Sequence, residues 1–314
     1  MNDRPLPTAQ QRAFLSLARH APPVPQPGSG RTFDRFSRIR ACSRANPSFG
    51  RLVEAHFDAA AILTEAGIAP PERQALAVWA SGPSDAVRLE RVNGSNVLCG
   101  SRSFCGGGIV VDAALLTAGA VTGEQLVLVD LNTPGIAVDP GTWPSSAFED
   151  AGVCTVTFDR VFVDDAALVG PTNWYGSRGG FWMGAAGIAA AWAGIADALL
   201  NHYSTLRHRN DDVRSIATGG IMASLWAVDA ALATAATKFD EIGLGGDKAE
   251  LKRHALSCRH TVRAQIESAM LWFDHEAGPA PLISNPDLAR CRSELDLALA
   301  QNHGLRDLLA LATP

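Results

Sequence analysis

No C-x-x-C pair occurs among the six cysteines, and none of the eight histidines joins them at zinc-ligand spacing, so nothing in the sequence reads as a metal site. The cysteines (Cys42, Cys99, Cys105, Cys154, Cys258 and Cys291) are widely scattered, a pattern that suits a reducing compartment where buried thiols act as small apolar groups. A cytoplasmic location is expected. Charge is scarce as well: 19% of residues carry it, the formal net charge is -5, and the 27 basic residues come in ones and twos. A nucleic-acid partner is not expected without a basic stripe. The first residues, MNDRPLPTAQQRAFLSLARHAPP, lack a basic flank, a long apolar run and a small-residue cleavage site, so no signal peptide is expected. The longest apolar stretch, Gly179 to Ala196, is mostly Ala and Gly and runs into Asp197. Membrane insertion is therefore not expected either.

What is present is enough apolar material for a sizeable core: 47% of 314 residues are hydrophobic, which suits two or three folding units. Residues 1–70 read as short helices between proline-rich loops. The clearest spans Arg51 to Ala66, with apolar positions 52, 53, 57, 60 and 63 at helical spacing and Gly67 as its C-cap. Residues 71–165 change to short runs of Val, Leu and Thr punctuated by Gly, Asn and Pro, the texture of antiparallel strands. Here Val87 to Val92, the Asn93-Gly94 turn and Asn96 to Cys99 predict a hairpin, with further strands at Gln125–Asp130 and Gly152–Val163. A small barrel or sandwich is expected. In residues 166–314 the helical period returns near 182–206, 213–242, 247–275 and 286–311, with Asn285-Pro286 as a helix start. The charged run Lys248 to Arg263 reads as a solvated helix face. The expected class is α+β, mainly α: an N-terminal helical layer, a middle β-barrel and a C-terminal four-helix bundle.

That order, with five local strings, resembles the acyl-CoA dehydrogenase superfamily over roughly residues 50–311. The strings are Leu98-Cys-Gly-Ser-Arg-Ser-Phe-Cys-Gly-Gly-Gly108; Leu126-Val-Leu-Val-Asp130; Thr133-Pro-Gly-Ile136; Thr155 to Val163; and Gly180-Phe181. The resemblance implies FAD between the β-domain and the bundle in a homodimer or homotetramer. Carried over by position, Val78, Trp79 and Ser81, then Phe104, Cys105 and Gly106, would line the flavin. An aromatic wall and exposed amides suit a flavin ring. Gly106 departs from the family, which usually has a hydroxyl donor there. The family's pyrophosphate arginine maps to Arg207, four residues after Tyr203, with Arg209 in reserve. Both arginines equally suit a solvated helix end.

The family's catalytic glutamate is missing from both positions it usually occupies. In its place, within about one residue of the loop position, stands His303 before Gly304. A histidine titrating near neutrality can act as a general base or handle a proton at a flavin site. The same residue also suits a helix-terminal cap paired with Asp307. His254 and His260 do not share a helix face, and His275-Glu276 is not a zinc signature. No phosphate-binding P-loop, dinucleotide fingerprint or nucleophile elbow occurs, and Gly106-Gly-Gly108 follows a strand without opening a helix.

Three readings follow from the resemblance. The first is FAD-dependent α,β-dehydrogenation of an acyl thioester, carried by CoA or a carrier protein, with an electron-transfer partner. The second is oxygenation using reduced flavin supplied by a reductase. The third is a non-catalytic flavin- or acyl-binding relative.

Overall fold

The computed structural model describes residues 5–80, 82, 86–204 and 212–313, so the candidates Ser81, Arg207 and Arg209 lie outside the described residues. The chain divides into two compact units, Met1–Pro23 with Arg51–Phe181, and Val24–Gly50 with Trp182–Pro314.

The first unit holds α1 (Ala9–His20), most of α3 (Pro47–Glu65) and all the strands: β1 (Leu76–Trp79), β2 (Val87–Val92), β3 (Ser95–Cys105), β4 (Ala113–Ala120), β5 (Gly123–Asp130), β6 (Ile136–Asp139), β7 (Cys154–Val163) and β8 (Leu168–Val169). Thr8 caps α1 reciprocally with Gln11, and α3 ends at Gly67 in the left-handed region (φ 76°) as its sequence requires. The β2–β3 hairpin turns through Asn93 and Gly94, both at positive φ (52° and 85°). The sheet runs β6-β7-β3-β2-β4-β5-β8, with β1 parallel to β4. It is not the closed barrel expected from sequence. Among the described residues β6 and β8 end the path unpaired to each other, and β2 meets β4 only at Arg88 and Gly119. Edge strands of four and two residues leave too short a ladder to close the cylinder. The core sits between α3 and the sheet, where Ala59, Ile62 and Leu63 pack with Leu76, Leu115, Leu126 and Val169. The short α4 (Trp174–Ser177) leads toward α5, and Glu65 accepts from the Gly180 amide at 3.0 Å and from Arg178 at 2.7 Å.

The second unit holds α2 (Thr32–Ala45), nearly all of α5 (Gly180–Ser204), α6 (Asp212–Ile242), α7 (Lys248–Ala277), α8 (Ala280–Ser284), α9 (Pro286–Leu299) and α10 (Leu305–Ala312). The small residues of α5 do let neighbours approach closely: a Cβ on Gly194 would come 2.3 Å from the Arg40 carbonyl of α2. Arg40 grips Asp197 with two hydrogen bonds (2.7 and 3.0 Å) and also bonds Asp229. These partners hold its guanidinium charged against the cost of burial. Asn285 caps α9 with Pro286 in its first turn, as expected. Two expectations fail here. The last helix breaks at Ala300–Gly304, where Gly304 adopts φ 53°, ψ -108°, leaving α9 and α10 separate. The Lys248–Arg263 face is not wholly solvated either, because Arg259 is buried, donating to the Ala185 carbonyl at 2.9 Å and lying 5.0 Å above the Trp192 ring. A guanidinium over an indole is stabilised by the ring quadrupole, which periodicity alone does not reveal.

Candidate functional site

Five of the residues singled out from sequence, Val78, Trp79, Phe104, Cys105 and Gly106, lie in the first unit at the end of β1 and the end of β3. The register of β3 against β7 slips between Arg102 and Cys105, and within this bulge Phe104 takes a left-handed backbone (φ 60°). A bulge re-aims the side chain it carries, and here the Phe104 ring is turned out to 73% exposure. Trp143 meets it edge-on with ring centres 6.4 Å apart, and is itself fixed by its Nε1 donating to the Ala147 carbonyl at 2.9 Å. The next residue, Cys105, points inward and is fully buried; its thiol donates to the Arg102 carbonyl at 3.2 Å. Burial raises the thiol pKa far above its usual range, so Cys105 is a packing residue and not a nucleophile.

Gly106 follows in open space: a Cβ built on it would meet no atom within 4 Å. Its carbonyl is held from the β1 side by the Trp79 indole Nε1 at 3.0 Å, and Trp79 is otherwise buried. Val78, beside it, is half-buried and packs at the edge of the core. The cradle therefore consists of an exposed aromatic ring, an unobstructed main-chain turn and an indole that fixes that turn. Gly107 and Gly108 do not form an anion nest, because the Gly107 amide donates to Ala151 (2.9 Å) and that of Gly108 to Cys105 (3.1 Å).

His303 belongs to the second unit, exposed in the turn between α9 and α10. The carboxylate of Asp307 lies 3.6 Å from Arg259, which gives it a partner other than His303. The turn is shaped by the Asn302 side chain, which accepts from the Gly304 amide at 2.7 Å. Tyr203 is buried on α5, its ring 4.9 Å from that of Phe273.

One half-buried polar residue of the first unit is absent from the sequence reading. His56 on α3 accepts from the Leu76 amide at 3.3 Å through Nδ1, which ties α3 to the first residue of β1. Phe14 and Phe57 lie against its ring, each at 6.0 Å, and burial lowers its pKa to about 4. It is thus neutral near pH 7. The one signal for it in the sequence is a lone polar residue inside the apolar stripe of the 51–66 helix. Among the described residues no group of three His, Cys, Asp or Glu side chains could hold a metal ion.

No family description matches the chain, and no curated protein does. Solved structures do. The dibenzothiophene monooxygenase TdsC of Paenibacillus sp. A11-2, solved with FMN and indole, is similar over 90% of this chain and 82% of its own, with a TM-score of 0.78 at 18% identity. The methanesulfinate monooxygenase MsuC of Pseudomonas fluorescens is similar over 97% of this chain and 87% of its own (TM-score 0.79, 14% identity). The nitrososynthase of Micromonospora carbonacea var. africana is similar over 95% and 86% (TM-score 0.77, 18% identity). The chain thus shares the fold of these solved structures.

Proposed function

We propose that the protein is a flavin-dependent oxidoreductase of this fold, using reduced flavin and dioxygen to oxygenate a small organic substrate. The observation that carries the reading is the cradle at Trp79, Phe104 and Gly106. Its exposed aromatic ring and open main-chain turn fit a flat heteroaromatic ring, and nothing occupies the space a Cβ of Gly106 would take. A bound flavin would supply the two-electron redox chemistry and the reaction with dioxygen. The protein's part is to orient it: Trp79 sets the height of the Gly106 turn and Phe104 offers a ring face or edge. Arg207 is proposed to meet the flavin phosphate.

Two things favour oxygenation over acyl-thioester dehydrogenation. The glutamate that removes the α-proton in the dehydrogenases has no counterpart here, and the similar structures include enzymes named as monooxygenases. His303 is proposed to handle the proton. The cofactor is a flavin, with FMN delivered by a separate reductase as the first candidate and FAD as the second; two of the similar proteins were solved with FMN.

The testing experiment loads the protein with reduced FMN or FAD under anaerobic conditions. In one arm the loaded protein is mixed with oxygen and a panel of sulfur- and nitrogen-containing aromatics. In the other, oxidised flavoprotein is mixed with acyl thioesters. Incorporation of labelled oxygen into a product supports the proposal, and flavin bleaching by a thioester returns the dehydrogenase reading. General-base removal is worth about 10²–10⁴-fold, so His303→Ala should slow turnover by roughly that factor with flavin affinity unchanged. Parent-like turnover would remove His303 from the chemistry.

A further inference from the structure

We infer that Cys105 and Cys154 are a dithiol site at which hydrogen peroxide forms a reversible disulfide, and that this disulfide loosens the turn of the candidate flavin site. The disulfide itself is independent of the flavin reading; its effect on flavin binding rests on that reading. Cys105 ends β3 and Cys154 begins β7, and the two are register partners across the antiparallel ladder. Among the described residues no other two cysteines are strand partners. Antiparallel partners hold their Cα atoms about 4.5–5.5 Å apart, inside the roughly 4.4–6.8 Å that a disulfide spans. Partners directly across a ladder also share one face of the sheet, and here both side chains are fully buried and both thiols reduced.

Gly108 shows how closely the two side chains approach. A Cβ built on it would collide with the Cys154 Sγ and lie 3.5 Å from the Cys105 Cβ, so both cysteines crowd the room that this glycine leaves. Each sulfur is engaged in the dithiol state. Cys105 Sγ donates to the Arg102 carbonyl at 3.2 Å, and Cys154 Sγ to the Cys105 carbonyl at 3.6 Å. The first of these bonds spans the bulge in which the Phe104 backbone is held at φ 60°. Turning the Cys105 sulfur toward Cys154 breaks it, whereas the Cys105 carbonyl keeps the Gly108 amide at 3.1 Å. The disulfide therefore releases the bulge, and the bulge aims the ring that faces the flavin.

One peroxide balances the reaction. One cysteine sulfur, as thiolate, attacks a peroxide oxygen; the O–O bond breaks, leaving a sulfenic acid and one water. The second sulfur then attacks the sulfenic sulfur as its own proton departs, the S–S bond forms, and the hydroxyl leaves as a second water. Two thiols lose two electrons and two protons, and the peroxide gains them. Reduced flavin and dioxygen together yield hydrogen peroxide, so the proposed reaction supplies the oxidant when no substrate takes the oxygen. Burial keeps Cys105 protonated, which makes it a packing residue at rest and makes the oxidation slow, quickening as pH rises.

The test treats the full chain, parent and Cys154→Ser, with excess hydrogen peroxide at about pH 7 and about pH 9. Non-reducing peptide mass spectrometry should find Cys105 linked to Cys154 in the parent, sooner at the higher pH, and dithiothreitol should separate them. The oxidised parent should bind FMN or FAD about 2- to 10-fold more weakly than the reduced parent, the worth of one neutral hydrogen bond. Peroxide-treated Cys154→Ser should bind flavin as it did before treatment. The linked peptide is read on the parent, so it decides the disulfide even if the variant fails to fold. Free thiols at Cys105 and Cys154 after Cys42 and Cys99 have been oxidised would overturn the inference. So would a sulfinic acid at either residue without the link. A linked parent with unchanged flavin affinity, or an equal loss of affinity in treated Cys154→Ser, would overturn the effect on the turn. A parent that binds no flavin in either state would overturn the flavin reading and this effect with it, while the linked peptide still decides the disulfide.

Discussion

The indole Nε1 of Trp79, at the end of β1, donates to the carbonyl oxygen of Gly106, just past the end of β3, at 3.0 Å. β1 and β3 are not neighbours in the sheet, so this bond joins two strand ends that the ladder does not. It fixes the height of the turn on which the candidate flavin site is built.

Trp79→Phe keeps most of the buried volume and removes only the donor. The loss of one neutral hydrogen bond should destabilise the protein by about 0.5–1.5 kcal/mol, measured by denaturant unfolding. Flavin affinity should fall as well, because the Gly106 turn loses its tether. A variant that loses stability while binding flavin like the parent would show that this bond serves packing alone.

Phe104 gives the opposite pattern. Its ring is 73% exposed and its backbone sits at φ 60°, where glycine is at ease and phenylalanine is strained. Phe104→Gly should leave stability unchanged or raise it by up to about 1 kcal/mol, while flavin affinity drops roughly 2- to 10-fold for a lost ring contact. Isothermal titration with FMN and FAD checks the second half. Unchanged affinity would take Phe104 out of the site.

His56 makes stability depend on pH. Its pKa in the fold is about 4, below the ordinary value near 6.5, so between these values the unfolded chain binds a proton that the folded chain does not. Its contribution is whole above about pH 6.5 and is lost as the pH falls toward 4, by about 1.4 kcal/mol per unit at most. His56→Gln keeps an acceptor for the Leu76 amide and removes the titration. Its unfolding free energy should change less than the parent's across this window, and parallel curves would contradict the assignment.

Much of the local structure was legible in the sequence because single residues dictate it. Asn93-Gly94 can hardly do other than turn a hairpin, Gly67 ends α3, and Asn285-Pro286 opens α9. The resemblance set both the end of β1 and the Leu98–Gly108 string against a flavin, and in the structure Trp79 donates to Gly106. What stayed hidden depends on partners distant in the chain. Closure of the sheet turned on how few residues β6 and β8 contribute, and the split between α9 and α10 on the backbone of one glycine. Arg259 lies in a charged run and yet is buried, because Trp192 and Asp307 come to it from other helices. His56 looked like one polar interruption of an apolar stripe until Leu76 was seen to donate to it.

The most direct test of the central claim fills the open space over Gly106. Gly106→Val adds atoms where a Cβ meets nothing within 4 Å, and at an ordinary backbone φ, so the flavin-free variant should unfold within about 0.5 kcal/mol of the parent. Saturating FMN or FAD should raise the parent's melting temperature, since a ligand at 100 times its Kd contributes about 2.7 kcal/mol, and should leave that of Gly106→Val where it was. A variant whose melting temperature rises with flavin as the parent's does, or a parent that neither flavin stabilises, would contradict a flavin seated on this turn.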